Sequence, residues 1–176
     1  ALFAGRHQLA GFEPWFFTGL AAMTGGMLLL WHCQPDHKRL PTILLFALIL
    51  RLAFLFWPHN SDLNRYIWEG QVQQAGLNPY LTAPASPLTE SLRNSIWQGV
   101  NHKEYAAVYG PSAQMMFRAA AICPNPALTL KLLFLVCDLG VLWLLLLILR
   151  KHQMAERHAW LYAAHPLPPL LLMGEG

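Results

Sequence analysis

The chain has 176 residues, of which 55% are hydrophobic and only 12% are charged, with a net charge of +3. Soluble domains carry about 25% charged residues, so this composition predicts a protein that is solvated by a lipid bilayer. It excludes a disordered chain, a coiled coil and a disulfide-rich secreted scaffold, and the scattered positive charge argues against nucleic acid as a partner. Because the chain starts at Ala1 without a methionine, we expect a fragment of a larger polytopic protein.

Five apolar stretches are candidates for membrane-spanning helices, which need about 20 predominantly apolar residues. In the first stretch, small residues recur every four positions at Thr18, Ala22 and Gly26, so we expect another helix to pack closely there. The five stretches cover approximately residues 15–33, 41–57, 111–123, 127–149 and 159–173.

Basic residues near these stretches predict their orientation, because lysine and arginine favour the cytoplasmic side of a membrane. Lys38 and Arg39 precede the second stretch, which places the segment after it outside the cytoplasm. The short stretch 111–123 leaves two topologies open. If it does not cross the membrane, Arg150 and Lys151 lie in the cytoplasm, and if it does cross, they lie outside.

Residues 59–110 form a long connection rich in polar and aromatic residues, and a connection of this length is usually functional. Asn60 or Ser61 can cap a helix that Gly76 ends, and Asn78-Pro79-Tyr80 predicts a turn after it. Because the helix would follow a membrane exit directly, we expect it to lie in the membrane interface. Its predicted apolar face consists of Leu63, Tyr66, Ile67 and Gly70.

Three charged residues of this predicted helix, Asp62, Arg65 and Glu69, are spaced three and four apart and therefore share one side of it. One interpretation is a surface ladder of ion pairs, in which Asp62 also complements the helix dipole. The other is a carboxylate at the membrane surface that accepts a proton, with an arginine beside it for an anion. The spacing alone leaves both open.

Short motifs follow one another along this loop: Ser61-Asp62, Arg65-Tyr66, Trp68-Glu69-Gly70, Gly76-Leu77-Asn78-Pro79-Tyr80 and Ala83-Pro84. Their order and spacing resemble the first extracytoplasmic loop of the GT-C glycosyltransferases, most closely that of bacterial polyprenol-phosphate-mannose-dependent mannosyltransferases. Further similar segments are Val100-Asn101-His102, 108–114, 130–134 with Asp138-Leu139, and 162–167, so the resemblance covers roughly residues 40 to 173.

The sequence departs from the family pattern at three positions. Leu63 stands where the family has a second acidic residue, Glu69 stands in place of aspartate, and Gly110 replaces the first proline of a pair. Asp62 is therefore the single clear candidate for a catalytic carboxylate.

The resemblance implies an all-α fold, a polytopic transmembrane helix bundle with a long extracytoplasmic first loop that contains short amphipathic interfacial helices. Residues 1–176 would form a single membrane domain, the N-terminal portion of a GT-C fold, and residues 59–110 its extracytoplasmic catalytic loop. The protein would be a multi-pass protein of the bacterial inner membrane.

The resemblance also implies a hexosyltransferase that moves a sugar, with mannose favoured, from a polyprenyl-phosphate donor to a lipid or glycan acceptor, with inversion. Asp62 would be the general base. Neither a cofactor nor a metal ion is expected, because the histidines lack ligand spacing and no nucleotide-binding motif is present. The residues expected to bind the donor phosphate or the substrate are Arg65, Tyr66, Glu69, Asn78, Tyr80, His102, Tyr109, Gln114, Arg118 and Lys131.

Several charged residues fall within the apolar stretches, where a charge is costly unless it is paired. The side chains of Arg118 and Lys131 either contact a lipid phosphate or extend to the membrane interface. For Arg51, extension to the interface is the expected role. Asp138 lies seven residues after Lys131 on the same helical face, so a structural ion pair between them is expected.

Two other functions compete with the enzyme. One is a membrane transporter or flippase-like protein that binds a lipid headgroup without chemistry, for which Asp138 and Lys131 are the candidate polar residues. The other is an inactive fragment that packs against a partner, which the departures at Leu63 and Glu69 favour.

Overall fold

The structure is a computed structural model that describes residues 36–55 and 61–165, together with the helical positions 18, 21–22, 24–26 and 28–29. Regular structure within these residues is helical, as predicted. The helices are α1 (Asp36–Leu55), α2 (Ser61–Gln74), α3 (Ser95–Gly99), α4 (Pro111–Ala121), α5 (Pro126–Lys151) and α6 (Trp160–Ala163), with short 3-10 helices at Pro87–Leu92 and Glu156–Ala159.

The predicted polytopic bundle is wrong for this part of the chain, because α5 is the one described helix that is long and apolar enough to cross a membrane. The apolar part of α1, Leu44–Ala53, has ten residues and is about 15 Å long, half the thickness of a bilayer core. Helix α4 has eleven residues, and Gln114 and Arg118 interrupt its apolar sequence.

The two outermost predicted spans give no second membrane helix within the described residues. The stretch 15–33 lies mostly outside them, and the stretch 159–173 is described only to residue 165, where it contains the four-residue α6. The apolar composition therefore predicted too many membrane-spanning helices for the described residues. Composition counts apolar residues but does not show how long each uninterrupted apolar helix is.

Helix α5 has one buried side and one exposed apolar side. Its buried residues recur every three or four positions, as expected for one face of a helix. Large apolar side chains such as Val136 and Trp143 lie on the other side, and they are 67% and 60% exposed. The buried residues are Leu130, Lys131, Leu135, Asp138, Leu142, Leu146 and Leu149. An apolar surface of this kind suits contact with lipid.

The described chain divides into two compact units, of which one contains residues 51–139 and the other combines residues up to 50 with those from 140 onward. The core of the second unit is formed by Ala47 together with residues of α5 and α6, and the rings of Phe46 and Trp160 lie 5.4 Å apart. The unit 51–139 contains all eleven residues that the sequence predicts to be catalytic or substrate-binding.

Helix α2 is the central element of the unit 51–139, and its ending follows the local sequence. Gly76 adopts a φ of +78°, which costs glycine little, and its N–H donates to the carbonyl of Gln73. The N–H of Leu77 donates to the carbonyl of Val72, which completes a Schellman cap. The prediction that Gly76 ends this helix is confirmed.

Helix α2 packs mainly against α4, and Gly70 is the point of closest approach. A Cβ at Gly70 would overlap the carbonyl group of Phe117 and the Cβ of Ala121. Seven residues of α2 are buried, Arg65 and Glu69 among them. The helix is therefore a core helix with buried charges, and the predicted surface ladder of ion pairs is wrong for Arg65 and Glu69.

The buried charges of α1 and α5 are partnered within the same unit. Arg51 and Asp138 form an ion pair, and both side chains are fully buried. Lys131 donates to the carbonyl of Leu55 at 3.4 Å. The ion pair shown at Asp138 thus uses Arg51, 87 residues away, where the sequence suggested Lys131.

Candidate functional site

A cavity of about 360 Å³ opens at the beginning of α2, and we call it the Asp62 cavity. Its lining includes polar groups, namely a carboxylate, an arginine and an imidazole. Apolar residues line it as well, among them Val108, which is 81% exposed. The lining residues are Asp62, Arg65, Asn101, His102, Tyr105, Ala106, Val108 and Tyr109.

Asp62 is held in the cavity by a residue from a distant loop. The side-chain amide of Asn101 donates to Asp62 Oδ1 and also contacts Ser61 Oγ at 3.2 Å. Ser61 and Asp62 begin α2, where an acidic side chain is favoured by the helix dipole. The first turn of α2 and the loop at residue 101 therefore fix the carboxylate together.

Arg65 fastens that same loop to α2. Its Nη1 donates to the carbonyls of Asn101 and His102 at 3.3 and 3.0 Å, and its Nη2 donates to the carbonyl of Tyr105 at 2.7 Å. Its Nε donates to Glu69 at 2.6 Å. These bonds occupy four of the five guanidinium N–H groups, so Arg65 mainly positions the loop.

A chain of hydrogen bonds continues from Arg65 towards the other end of α2. Gln114 Nε2 donates to Glu69 Oε2 at 2.5 Å, and Gln73 Nε2 donates to Gln114 Oε1 at 2.8 Å. Glu69 is 2% exposed, and both of its oxygens accept a hydrogen bond. The buried carboxylate therefore joins α2 and α4 and is compensated by the charge of Arg65.

His102 has a φ of +46°, in the left-handed region that is unfavourable for a residue with a side chain. Its carbonyl accepts bonds from Arg65 and from the N–H of Tyr105, so the surrounding contacts hold this conformation. Its imidazole lies 3.9 Å from Glu104 and is mostly exposed. Locally strained backbone of this kind is typical of functional loops.

Aromatic rings pack together between α2 and α4, and one of them, Tyr109, also lines the Asp62 cavity. Tyr66 stacks on Phe117 with ring centroids 4.6 Å apart and meets Tyr109 edge to face at 5.0 Å. Burial raises the pKa of the Tyr66 phenol, and a side-chain hydrogen bond with Tyr109 and the nearby carboxylates add to the shift. Tyr66 thus remains a neutral phenol inside an aromatic cluster.

A second cavity, of about 450 Å³, opens where α2 ends, and we call it the Arg118 cavity. Asn78 forms the predicted turn, since its Oδ1 accepts from the N–H of Tyr80 at 3.0 Å. The Tyr80 hydroxyl donates to the carbonyl of Tyr109 at 2.7 Å. The lining residues are Gln73, Gly76, Leu77, Asn78, Pro79, Tyr80, Gln114 and Arg118.

The eleven predicted site residues separate into distinct places, and their roles in binding remain predictions. The Asp62 cavity contains Asp62, Arg65, His102 and Tyr109, and the Arg118 cavity contains Asn78, Tyr80, Gln114 and Arg118. Tyr66 and Glu69 lie in the core between α2 and α4, and Lys131 lines neither cavity.

Sequence reasoning missed Asn101, Tyr105 and Gln73 as site residues. Asn101 stands in the motif Val100-Asn101-His102, which was a usable signal, and Gln73 lies four residues after Glu69 on the same helix face. Tyr105 had no local signal. Within the described residues, no group of three histidines, cysteines or acids could hold a metal ion.

Comparison with known proteins gives no match to a family model, a curated protein or a solved structure.

Proposed function

We propose that this protein is a membrane-anchored glycosyltransferase that uses Asp62 as its general base, with a polyprenyl-phosphate sugar as donor. The observation that carries the proposal is the convergence of separate sequence motifs on one cavity. Ser61-Asp62, Arg65-Tyr66, Asn101-His102 and Val108-Tyr109, which resemble the GT-C loop in order, each contribute at least one residue to the lining of the Asp62 cavity.

The chemistry of the Asp62 cavity suits an acceptor hydroxyl. A general base must bring an oxygen within about 3 Å of the proton that it removes. Asp62 lines the cavity, and the bond from Asn101 fixes its orientation. The leaving phosphate needs hydrogen-bond donors, which the one uncommitted N–H of Arg65 and an N–H of the His102 imidazole can supply.

The mixed lining of the cavity fits an amphiphilic substrate. Asp62 and His102 offer polar groups for a sugar or its hydroxyl, and Ala106 and Val108 offer apolar contacts for the start of a lipid chain. A volume of about 360 Å³ falls within the usual range for small-molecule sites.

The proposed location is a membrane that α5 crosses once. Arg150 and Lys151 form the last turn of α5, and the positive-inside tendency places that end in the cytoplasm. Residues 61–121 precede α5 and therefore lie on the extracytoplasmic side, where lipid-linked sugar donors are accessible. The short α4 is consistent with this topology because it does not cross.

A lipid-headgroup binder without chemistry is the rival function, and its candidate polar residues, Lys131 and Asp138, are buried together with Arg51. Arg51 and Asp138 compensate each other, and Lys131 donates to a backbone carbonyl. Neither cavity described above is lined by these residues. Their contacts support a structural role more than a substrate pathway.

The proposal is tested by transfer of radiolabelled mannose from polyprenyl-phosphate mannose in membranes that contain the full chain. Asp62→Asn should lower the transfer rate by about 10²–10⁴-fold, because it removes the base and preserves the shape. Glu90→Gln, an exposed acid outside both cavities, serves as the matched control and should transfer at the wild-type rate.

A positioning variant sharpens the test. Asn101→Ala keeps the Asp62 carboxylate but removes the hydrogen bond from Asn101 that orients it, so kcat should fall while the KM for donor stays within a few-fold. Equal transfer by wild type and Asp62→Asn would remove Asp62 from the mechanism. Saturable donor binding without any transfer by wild type would favour the headgroup binder.

A further inference from the structure

We propose that the Arg118 cavity is a second binding site, separate from the Asp62 cavity, and that it takes an anionic, hydroxyl-bearing group such as a phosphorylated sugar or polyol. This proposal stands independently of the glycosyltransferase proposal. It depends on three properties of the cavity: its charge, its unused hydrogen-bonding groups and its position on α2.

The charge of the Arg118 cavity is positive. Its lining includes one arginine and no acidic residue. The nearest carboxylate in the hydrogen-bond chain, Glu69, is buried behind Gln114 and already compensated by Arg65. The Asp62 cavity differs, because there a carboxylate lines the wall and the arginine is engaged by carbonyls and Glu69. An anion is therefore favoured in the Arg118 cavity.

The uncommitted groups of the Arg118 cavity are chiefly donors. Within the described chain, the guanidinium of Arg118 makes no hydrogen bond or ion pair, and only its carbonyl is engaged, by Gln74 at 3.0 Å. The Nδ2 group of Asn78 likewise has no partner among the described residues, since its Oδ1 makes the turn. An arginine fork with an adjacent amide suits phosphate or carboxylate oxygens.

The same cavity also offers features that bind hydroxyl groups and rings. The Oε1 atom of Gln73 accepts no hydrogen bond from the described residues, while its Nε2 is committed to Gln114. The ring of Tyr80 is 41% exposed at the cavity wall, and its hydroxyl is anchored to Tyr109. An acceptor and an anchored aromatic ring beside a cation fit a sugar or polyol that carries the anion.

The position of the cavity makes it distinct from the proposed reaction site. Gln74, which donates to the carbonyl of Arg118, lies twelve residues after Asp62 on α2, or about 18 Å along the helix axis. This separation exceeds the length of one glycosyl phosphate linkage, even allowing for the reach of an arginine side chain. Arg118 therefore serves a separate ligand group and not the phosphate that leaves at Asp62.

The test measures binding of mannose 1-phosphate to the full chain in detergent micelles by isothermal titration, with mannose and inorganic phosphate as comparison ligands. A parallel arm uses nanodiscs with and without phosphatidylinositol, and asks whether that lipid competes with mannose 1-phosphate. Arg118→Gln should weaken binding at least about ten-fold, because a charge-assisted fork is lost. Arg118→Lys should recover part of the affinity.

Two control variants distinguish binding at Arg118 from a general attraction to positive charge and from binding at Asp62. Lys151→Gln removes one exposed positive charge at the end of α5. The dissociation constant should stay within about two-fold of the wild-type value, because salt screens the effect of a distant surface charge. Asp62→Asn should bind mannose 1-phosphate as the wild type does. Competition by phosphatidylinositol would identify a lipid headgroup as the ligand of the Arg118 cavity. Binding of mannose 1-phosphate without such competition would identify a soluble phosphorylated compound instead.

Three outcomes would overturn the proposal. One is the absence of saturable binding in both arms, and another is binding that Arg118→Gln leaves unchanged. The third is binding that Asp62→Asn abolishes and Arg118→Gln preserves, because the ligand would then occupy the Asp62 cavity. If Asp62→Asn loses transfer activity but still binds mannose 1-phosphate, catalysis and this binding site are shown to depend on different residues.

Discussion

Replacing Glu69 with glutamine perturbs the buried charge that joins α2 to α4. Glu69 accepts from Arg65 at 2.6 Å and from Gln114 at 2.5 Å, and the side chains of Glu69 and Arg65 are only 3% and 7% exposed. Glutamine preserves the volume but has one acceptor oxygen, so Arg65 and Gln114 can no longer both be satisfied. The charge of Arg65 also loses its partner.

Breaking a buried ion pair by removing one partner costs about 3–5 kcal/mol. Arg65 keeps its bonds to the carbonyls of Asn101, His102 and Tyr105, which places the expected cost of Glu69→Gln at about 3 kcal/mol, near the lower end. The free energy of unfolding in detergent, followed by far-UV circular dichroism, measures this cost.

The chain contains a matched control for this prediction. Arg150 Nε and Glu156 Oε1 also lie 2.6 Å apart, but their side chains are 54% and 34% exposed. Glu156→Gln should therefore cost less than about 1 kcal/mol. Equal costs for the two substitutions would refute the reasoning, since the two pairs have the same Nε–Oε1 distance and differ in burial.

Three further predictions concern the same unit and one glycine of α5. Gly70→Ala should lower the unfolding free energy by about 1–2 kcal/mol, because the overlap of the new Cβ with the Phe117 carbonyl outweighs the gain in helix propensity. Gly140→Ala is the control and should not lower it, because a Cβ at Gly140 meets no atom within 4 Å. Equal effects of the two substitutions would contradict this reasoning. Tyr66 keeps its proton when folded while the unfolded chain loses it near pH 10, so stability should fall as the pH rises above about 10, and in Tyr66→Phe thermal melts should show a shallower decline. His102→Gly should not lower the melting temperature, because glycine relieves about 1 kcal/mol of left-handed strain; a clear decrease would show that the imidazole stabilises the loop.

Local signals predicted the elements that depend on neighbouring residues. The end of α2 at Gly76 and the turn at Asn78 follow from the conformations that glycine and asparagine favour, and both are present. The candidate membrane helix at 127–149 is present as the helix Pro126–Lys151, because a long uninterrupted apolar run leaves little ambiguity about its helical state.

Properties that depend on distant parts of the chain were not predictable in this way. The side chains of Arg65 and Glu69 share one face of a helix, but that face is covered by parts of the chain that follow 36 to 45 residues later. The loop at residues 101–105 contacts Arg65, and α4 contacts Glu69. Asp138 forms an ion pair with Arg51 on another helix, whereas the periodicity of α5 alone pointed to Lys131. Apolar composition likewise cannot distinguish burial against protein from exposure to lipid.

The candidate site was predicted in part. The motif pairs Ser61-Asp62 and Asn101-His102 are neighbours in space, although about 40 residues separate them in sequence. The separation of the predicted binding residues between two cavities was not foreseen, because Gln114 and Arg118 belong to a helix whose placement depends on the packing at Gly70.

The loops that line the two cavities are joined directly to each other. The N–H of Ala107 donates to the carbonyl of Pro79 at 2.9 Å, and the Tyr80 hydroxyl donates to the carbonyl of Tyr109. A ligand that displaces one loop therefore acts on the other, and thermodynamic linkage makes the effect reciprocal. If occupancy of the Arg118 cavity changes the affinity of the Asp62 cavity by some factor, occupancy of the Asp62 cavity changes the affinity of its neighbour by that same factor.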